Sequence, residues 1–203
     1  MIDKSKNKFL IKKIVLAAGL SNRYGEKNKL TQYINSKPVI IHLIDKLLSI
    51  YDPGELLIVI GYEYKTITNL IDNPKIKFVY NPDYKKGIGS SIAAGVRELE
   101  HVIVGAMIIP ADMPIVSIKD LIKLQKKFLK LNCSKVIFPN YKSQIGNPVL
   151  LPRSYFKILE SLKEDFGAKS QIKKNDIVTV NTDIGTVFDI DTISNLKIAE
   201  NML

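Results

Sequence analysis

The 203-residue chain contains one cysteine, Cys133, and two histidines, His42 and His101. A lone cysteine excludes an internal disulfide and fits a reducing compartment. Cys133 has no Cys or His neighbour at metal-ligand spacing, so a buried or semi-buried bystander is expected. No stretch approaches the roughly 18 apolar residues that a membrane span needs. The basic N-terminus, Met1 to Lys13, is broken by Asp3 and Asn7 and lacks an apolar core before a cleavage site. That pattern argues against a secretory signal and predicts a short flexible lead over residues 1–11 of a cytoplasmic protein. Two phosphate-binding signatures are missing as well. No Gly-Lys-Ser/Thr triplet follows the first apolar run, and the Gly19 to Gly25 spacing does not give Gly-x-Gly-x-x-Gly.

What is present is a globular composition with an excess of positive charge. Apolar residues make up 46% and charged residues 25%, enough for one domain, residues 1–203, with a full core. Lys and Arg outnumber Asp and Glu by 30 to 20, a formal charge of +10 that favours polyanionic partners. The excess is dispersed in short clusters such as Lys12-Lys13, Lys85-Lys86 and Lys126-Lys127. No basic stripe interleaves with aromatics, so neither nucleic acid nor a membrane is the expected partner.

Apolar runs alternate with helical periods. Ile14–Ala17, Leu56–Ile60, Ile76–Tyr80, Val102–Ile109 and Lys135–Phe138 read as strands, several continuous enough to be buried on both faces. Val39–Ile50, Thr66–Asp72, Ser90–Glu100 and Ile118–Leu131 have helical spacing. Beyond Pro139 the pattern loosens into strands at Val149–Leu151, Ile177–Val180 and Thr186–Ile190, with helices at Arg153–Leu162 and Ser194–Met202. The alternation predicts an α/β fold with a mostly parallel sheet covered on both faces. Ligands bind such sheets beyond the carboxyl ends of the strands, and the polar motifs of this chain follow predicted strands.

The first motif is Leu16-Ala17-Ala18-Gly19-Leu20-Ser21-Asn22-Arg23-Tyr24-Gly25, followed by Lys29. Small residues let the backbone approach a triphosphate closely, and Arg23 and Lys29 neutralise it. The second is Asn81-Pro82-Asp83-Tyr84 running through Gly87-Ile88-Gly89-Ser90-Ser91 to a helix start. Its N–H groups and hydroxyls suit a ribose, a base edge or a phosphate, and a serine there also serves as an ordinary N-cap. The third, Pro110-Ala111-Asp112-Met113-Pro114, ends a buried strand on a carboxylate that needs a partner, and a divalent cation suits it. The fourth is Phe188-Asp189-Ile190-Asp191-Thr192, where strand alternation would put Asp189 and Asp191 on one face. An N-cap is the plainer reading of Asp191, and a turn or capping acid that of Asp112.

These motifs, with Lys37-Pro38-Val39 and Gly146-Asn147-Pro148-Val149-Leu150, resemble in order those of molybdenum cofactor cytidylyltransferases within the wider MobA-like nucleotidyltransferases. The resemblance runs from Ile14 to Leu196. It implies a Rossmann-like three-layer sandwich of the nucleotide-diphospho-sugar transferase type, CTP as substrate and Mg²⁺ as cofactor. Leu16, Ala17, Ala18 and Gly19 would hold the nucleotide, with Arg23 and Lys29 on its phosphates. Gly89, Ser90 and Ser91 would lie near base and ribose. Asp112 would be a metal ligand, with Asp191 or Asp189 as the other. The loop reads Leu-Ala-Ala-Gly in CTP users and typically Leu-Ala-Gly-Gly in guanylyltransferases, so Ala18 favours cytosine.

Two positions depart from the family pattern. Many relatives carry His where Asn147 stands. Many carry Gly-Asp-x-Gly-Ala-Arg where this chain has Glu164-Asp165-Phe166-Gly167-Ala168-Lys169, and Lys lacks the flat fork of Arg. Asn147 and Lys169 belong to the side expected to meet the acceptor.

The expected reaction moves CMP from CTP to the phosphate of a molybdopterin-type acceptor and releases pyrophosphate, with a client molybdoenzyme as a further partner. A phosphate nucleophile is already ionised at neutral pH, so no general base is required, and His42 and His101 are expected to be structural. The alternatives are a related nucleotidyltransferase using GTP or a sugar or alcohol phosphate, and a non-catalytic protein that holds and delivers the cofactor. Arg23, Lys29 and Asp112 count against the last.

Overall fold

The computed structural model describes residues 10–25, 27–162 and 171–203. The first strand, β1, runs Leu10–Ala17 and so begins within the expected lead; residues 1–9 lie outside the described residues. A hairpin of β2 (Tyr33–Ile34) and β3 (Lys37–Pro38) follows, then helix α1 (Val39–Ile50), β4 (Leu56–Ile60), α2 (Tyr64–Leu70) and β5 (Lys77–Tyr80). Next come α3 (Ile88–Arg97), β6 (Ile103–Pro110), α4 (Ile118–Lys130), β7 (Val136–Tyr141), β8 (Gln144–Ile145) and β9 (Val149–Pro152). The short helix α5 (Phe156–Leu159), β10 (Ile177–Asn181) and α6 (Ile193–Glu200) complete the described chain.

The main sheet has the order β10-β7-β9-β6-β1-β4-β5, with β8 paired to β7. Pairing is parallel except where β9 runs against β6 and β7, and β8 against β7. The central strands are apolar on both sides, as a doubly covered sheet requires. Alternation divides their side chains between two cores. Val15 and Ala17 of β1, Ile58 of β4 and Met107 and Ile109 of β6 meet α1, α2 and α4 on one face. Ile14, Leu16, Leu57, Val59 and Ile108 meet α3 and α5 on the other. Three layers result, as the resemblance implied.

After β1 the chain winds to one side through β4 and β5, then returns to lay β6 against the other edge of β1. Loops leaving β1 and β6 therefore diverge, and a crevice opens between them at the carboxyl end of the sheet. That switch point is where the first and third motifs lie.

The expected strand at Thr186–Ile190 is not formed. A 3-10 turn covers Ile184–Thr186, and the N–H groups of Thr186 and Val187 donate back to Asp183 and Ile184 rather than across to a neighbour. The expected helix at Arg153–Leu162 is a 3-10 turn running into the four-residue α5. Among the described residues, no helix is long and apolar enough to cross a membrane.

Candidate functional site

The loop after β1 folds over the end of the sheet. Ala111 N–H donates to Leu16 C=O (3.1 Å), which ties the end of β6 to the end of β1. Tyr62 N–H donates to Ala18 C=O (3.2 Å), which draws the chain after β4 against the same loop. Gly61 permits this approach. A Cβ there would stand 2.6 Å from Tyr84 Cβ and 2.9 Å from Ala18 C=O.

A cleft of about 370 Å³ opens above these strands. Leu16, Ala18, Gly19, Arg23, Lys29, Ser91, Asp112 and Asp191 line it, together with Tyr84, Lys85, Gly87 and Ile88. Ala17 is instead buried in the core, and neither Gly89 nor Ser90 lines the cleft. Neither serine is an N-cap: α3 begins at Ile88, its N-cap is Gly87, and both serines are buried in the first turn. Tyr84 and Lys85 fall within the second sequence motif, but the sequence assigned them no role of their own, since a Tyr-Lys-Lys 3-10 turn carries no specific signal.

Four charged side chains meet at the wall built by β1 and β6. Lys29 Nζ lies 2.5 Å from Asp112 Oδ2 and 2.9 Å from Asp191 Oδ1, and Arg23 Nη1 lies 2.8 Å from Asp191 Oδ2. Burial works against the Lys29 ammonium, but Asp112 and then Asp191 outweigh it and hold its pKa above the ordinary value. Asp191 reaches the cluster through tertiary contact rather than strand pairing. Ile190, fully buried, donates its N–H to Asp112 C=O (2.9 Å), so the acids on either side of Ile190 are delivered beside Asp112. Asp191 is not a cap either, since Thr192 caps α6 by accepting from Asn195 N–H in a reciprocal capping box. The capping reading of Asp112 fails too, because its Oδ2 is committed to Lys29.

These acids fit a divalent cation. Carboxylate oxygens of Asp112, Asp189 and Asp191 lie within 4.8 Å of one another, and hard cations take oxygen ligands in such clusters. Asp112 Oδ1 is buried with no hydrogen-bond partner among the described residues, an acceptor that a cation would satisfy. The pKa of the exposed Asp189 carboxyl is raised from its ordinary value, first by desolvation, then by the charges of Asp112 and Asp191.

A second, smaller cavity of about 190 Å³ lies on the far side of Pro110. Asp189 lines this one, with Gln144, Gly146, Asn147 and Thr186. The two acids expected on one strand face are thus divided, Asp191 toward the larger cleft and Asp189 toward the smaller. Asn147 is held there by its N–H to Thr186 C=O (2.8 Å). Glycine is obligatory beside it, because a Cβ on Gly146 would sit 1.9 Å from that same carbonyl. Lys169 lies outside the described residues. Neither histidine lines either of these two cavities: His42 Nε2 contacts Ile34 C=O at 3.0 Å, and His101 Nδ1 faces the Arg153 guanidinium at 3.1 Å.

Comparison with known proteins places this architecture. Residues 13–179 match the family model described as MobA-like NTP transferase domain. By sequence, the bifunctional protein GlmU of Caldicellulosiruptor saccharolyticus is 24% identical over 115 residues, covering 56% of this chain but only 25% of that protein. Among solved structures, Rv0371c of Mycobacterium tuberculosis superposes with a TM-score of 0.79 at 19% identity, covering 95% of this chain and 98% of that one. The same protein has also been solved as a complex with manganese. The molybdopterin-guanine dinucleotide biosynthesis protein A of Archaeoglobus fulgidus superposes with a TM-score of 0.65 at 22% identity, covering 94% and 97%. A strand-end cleft lined by small residues, cations and carboxylates, together with a family match over most of its length, leads to one conclusion: the chain belongs to the MobA-like NTP transferase family.

Proposed function

We propose that the chain is a cytidylyltransferase that moves CMP from CTP to the phosphate of a molybdopterin-type acceptor. The observation that carries this reading is the Lys29–Asp112–Asp191–Arg23 cluster in the wall of the larger cleft, which shares Pro110 with the smaller cavity. The larger cleft is the nucleotide side and the smaller, with Asn147, the acceptor side. An acceptor phosphate oxygen attacks the α-phosphorus of CTP, the bond from that phosphorus to the bridging oxygen breaks, and pyrophosphate leaves.

The residues of the chain contribute position and charge. The backbone from Ala18 to Ser21 lies against the phosphates, and Arg23 and Lys29 neutralise the oxygens that gain charge as pyrophosphate departs. Asp112 and Asp191 would hold Mg²⁺, with Asp189 beside them on the acceptor side. When bound, the cation supplies charge neutralisation at the reacting phosphate. Support for a divalent metal comes from the manganese complex of Rv0371c, and for a molybdopterin acceptor from the Archaeoglobus protein's role. Support for cytosine comes from Ala18 in the Leu-Ala-Ala-Gly loop.

Competition calorimetry in Mg²⁺ is the test of the nucleotide. CTP is expected to bind more tightly than GTP, and pyrophosphate is expected to appear when CTP and molybdopterin are supplied together. Tighter binding and turnover of GTP would assign the chain to guanylyl transfer.

A further inference from the structure

Asn81 follows β5 directly, is 3% exposed and lines neither cavity. Its amide has a single orientation compatible with its neighbours. The N–H of Asp83 points at one amide atom from 3.0 Å, and only the carbonyl oxygen Oδ1 accepts. The Nδ2 group therefore faces Ser90 Oγ at 3.0 Å and Ser91 Oγ at 3.1 Å, with one hydrogen for each. Both serine oxygens must accept. Ser90 commits its own proton to main-chain carbonyls, those of Asp83 at 2.9 Å and Gly87 at 2.8 Å. Ser91 has no such acceptor among the described residues, and unlike Ser90 it lines the cleft. Buried polar hydrogens are rarely left unmatched, so the Ser91 proton belongs to whatever fills the cleft.

We infer that Asn81 is a positioning residue: it locks the Ser91 hydroxyl as a hydrogen-bond donor into the cleft, so the site selects a ligand with an acceptor atom at that point. The inference rests on the nucleotide reading above. On that reading the acceptor is the ring nitrogen or carbonyl oxygen of cytosine, an edge where guanine presents an amino donor. A serine without Asn81 behind it has no preferred polarity, because a free hydroxyl rotates to suit either partner.

The variant Asn81→Asp tests this with little change of shape. It keeps an acceptor for Asp83 N–H but replaces the donor pair with a second acceptor. Both serine protons then turn toward the carboxylate, and Ser91 presents a lone pair to the cleft. Calorimetry is expected to show CTP affinity falling about tenfold or more, as for loss of a hydrogen bond that leaves an acceptor facing an acceptor. The affinity for inorganic pyrophosphate, which the Arg23 and Lys29 wall would hold, is expected to stay within about twofold on the same argument. Ser91→Ala should show the same division, and the double variant should be no weaker than the weaker single one, since both remove one donor. Equal losses for CTP and pyrophosphate, unchanged CTP affinity, or additive losses would each overturn the inference. Titrating GTP, ATP and UTP against the unaltered protein separates the two readings. If another nucleotide binds best, the cytidylyl proposal falls, and the Asn81 inference is decided by the same division measured with that nucleotide.

Discussion

The two oxygens of Asp112 stand in different states: Oδ2 accepts from Lys29, while Oδ1 is buried without a partner among the described residues. An unsatisfied buried oxygen is costly unless a ligand supplies the missing contact, which is why this residue rather than its neighbours is expected to be most sensitive. Asp112→Asn keeps the shape and removes the charge. Pyrophosphate release is expected to fall by at least about a hundredfold, comparable with deleting a principal electrostatic contact to a transition state. Far-UV circular dichroism should be unchanged. Asp191→Asn should cost more than Asp189→Asn, because Asp191 holds both Lys29 and Arg23 and lines the larger cleft, whereas Asp189 faces the smaller. Retained rates in Asp112→Asn, or the reverse order for the other two, would remove these assignments.

At the scale of elements, β1 carries a charge where its pattern calls for an apolar side chain. Lys13 is fully buried, pairs with Glu55 just ahead of β4, and lies 3.9 Å from the centre of the Tyr51 ring. Burial depresses its pKa below 10.5, with Glu55 opposing the shift. The folded state therefore binds fewer protons than the unfolded one between the lowered value and 10.5, and stability contributed by this group rises with pH across that window. Glu55, the partner left behind, is partly exposed and regains water, so Lys13→Met, which removes only the buried ammonium, should stay within about 2 kcal/mol of the parent at pH 7. The parent should then gain on the variant as pH climbs toward 10.5. Urea unfolding at pH 7 and near the top of that window measures the difference; a gap that closes in favour of the variant would contradict the sign.

At the scale of the molecule, the two cavities sharing Pro110 predict separable substrate defects. Lys29→Ala removes a cation from the larger cleft and should weaken CTP binding about tenfold or more, in keeping with the strength of charge-assisted contacts. Asn147→Ala should leave CTP affinity within about twofold while raising the acceptor concentration needed for turnover, since it trims only the smaller cavity. Separate titrations of CTP and acceptor check the division. Loss of CTP binding in Asn147→Ala equal to that in Lys29→Ala would mean that both cavities serve the nucleotide.

The amino-acid sequence by itself determined the layered α/β architecture and the cationic loop after β1. Both are written in contiguous residues: apolar runs buried on both faces, helical periods between them, and small residues beside Arg23 and Lys29. It also placed Asp112 at the end of a strand, because that position follows from a single uninterrupted run. It did not determine how the chain beyond Pro139 closes the site. Lys142-Ser143 turns β7 into β8 with positive φ at both residues and without the Asn-Gly pair that marks such hairpins, so this two-residue strand left no local signal. Asp189 and Asp191 read as neighbours on a strand face because alternation is visible locally, whereas the bond from Ile190 N–H to Asp112 C=O spans the fold. Packing of Gly146 against Thr186 and the buried amide of Asn81 are likewise contacts between segments far apart in the chain. Local pattern encodes which elements form; the pairing of their distant ends, and hence which carboxylate faces which cavity, was decided only when the tertiary structure satisfied backbone groups that no neighbour in sequence was able to reach.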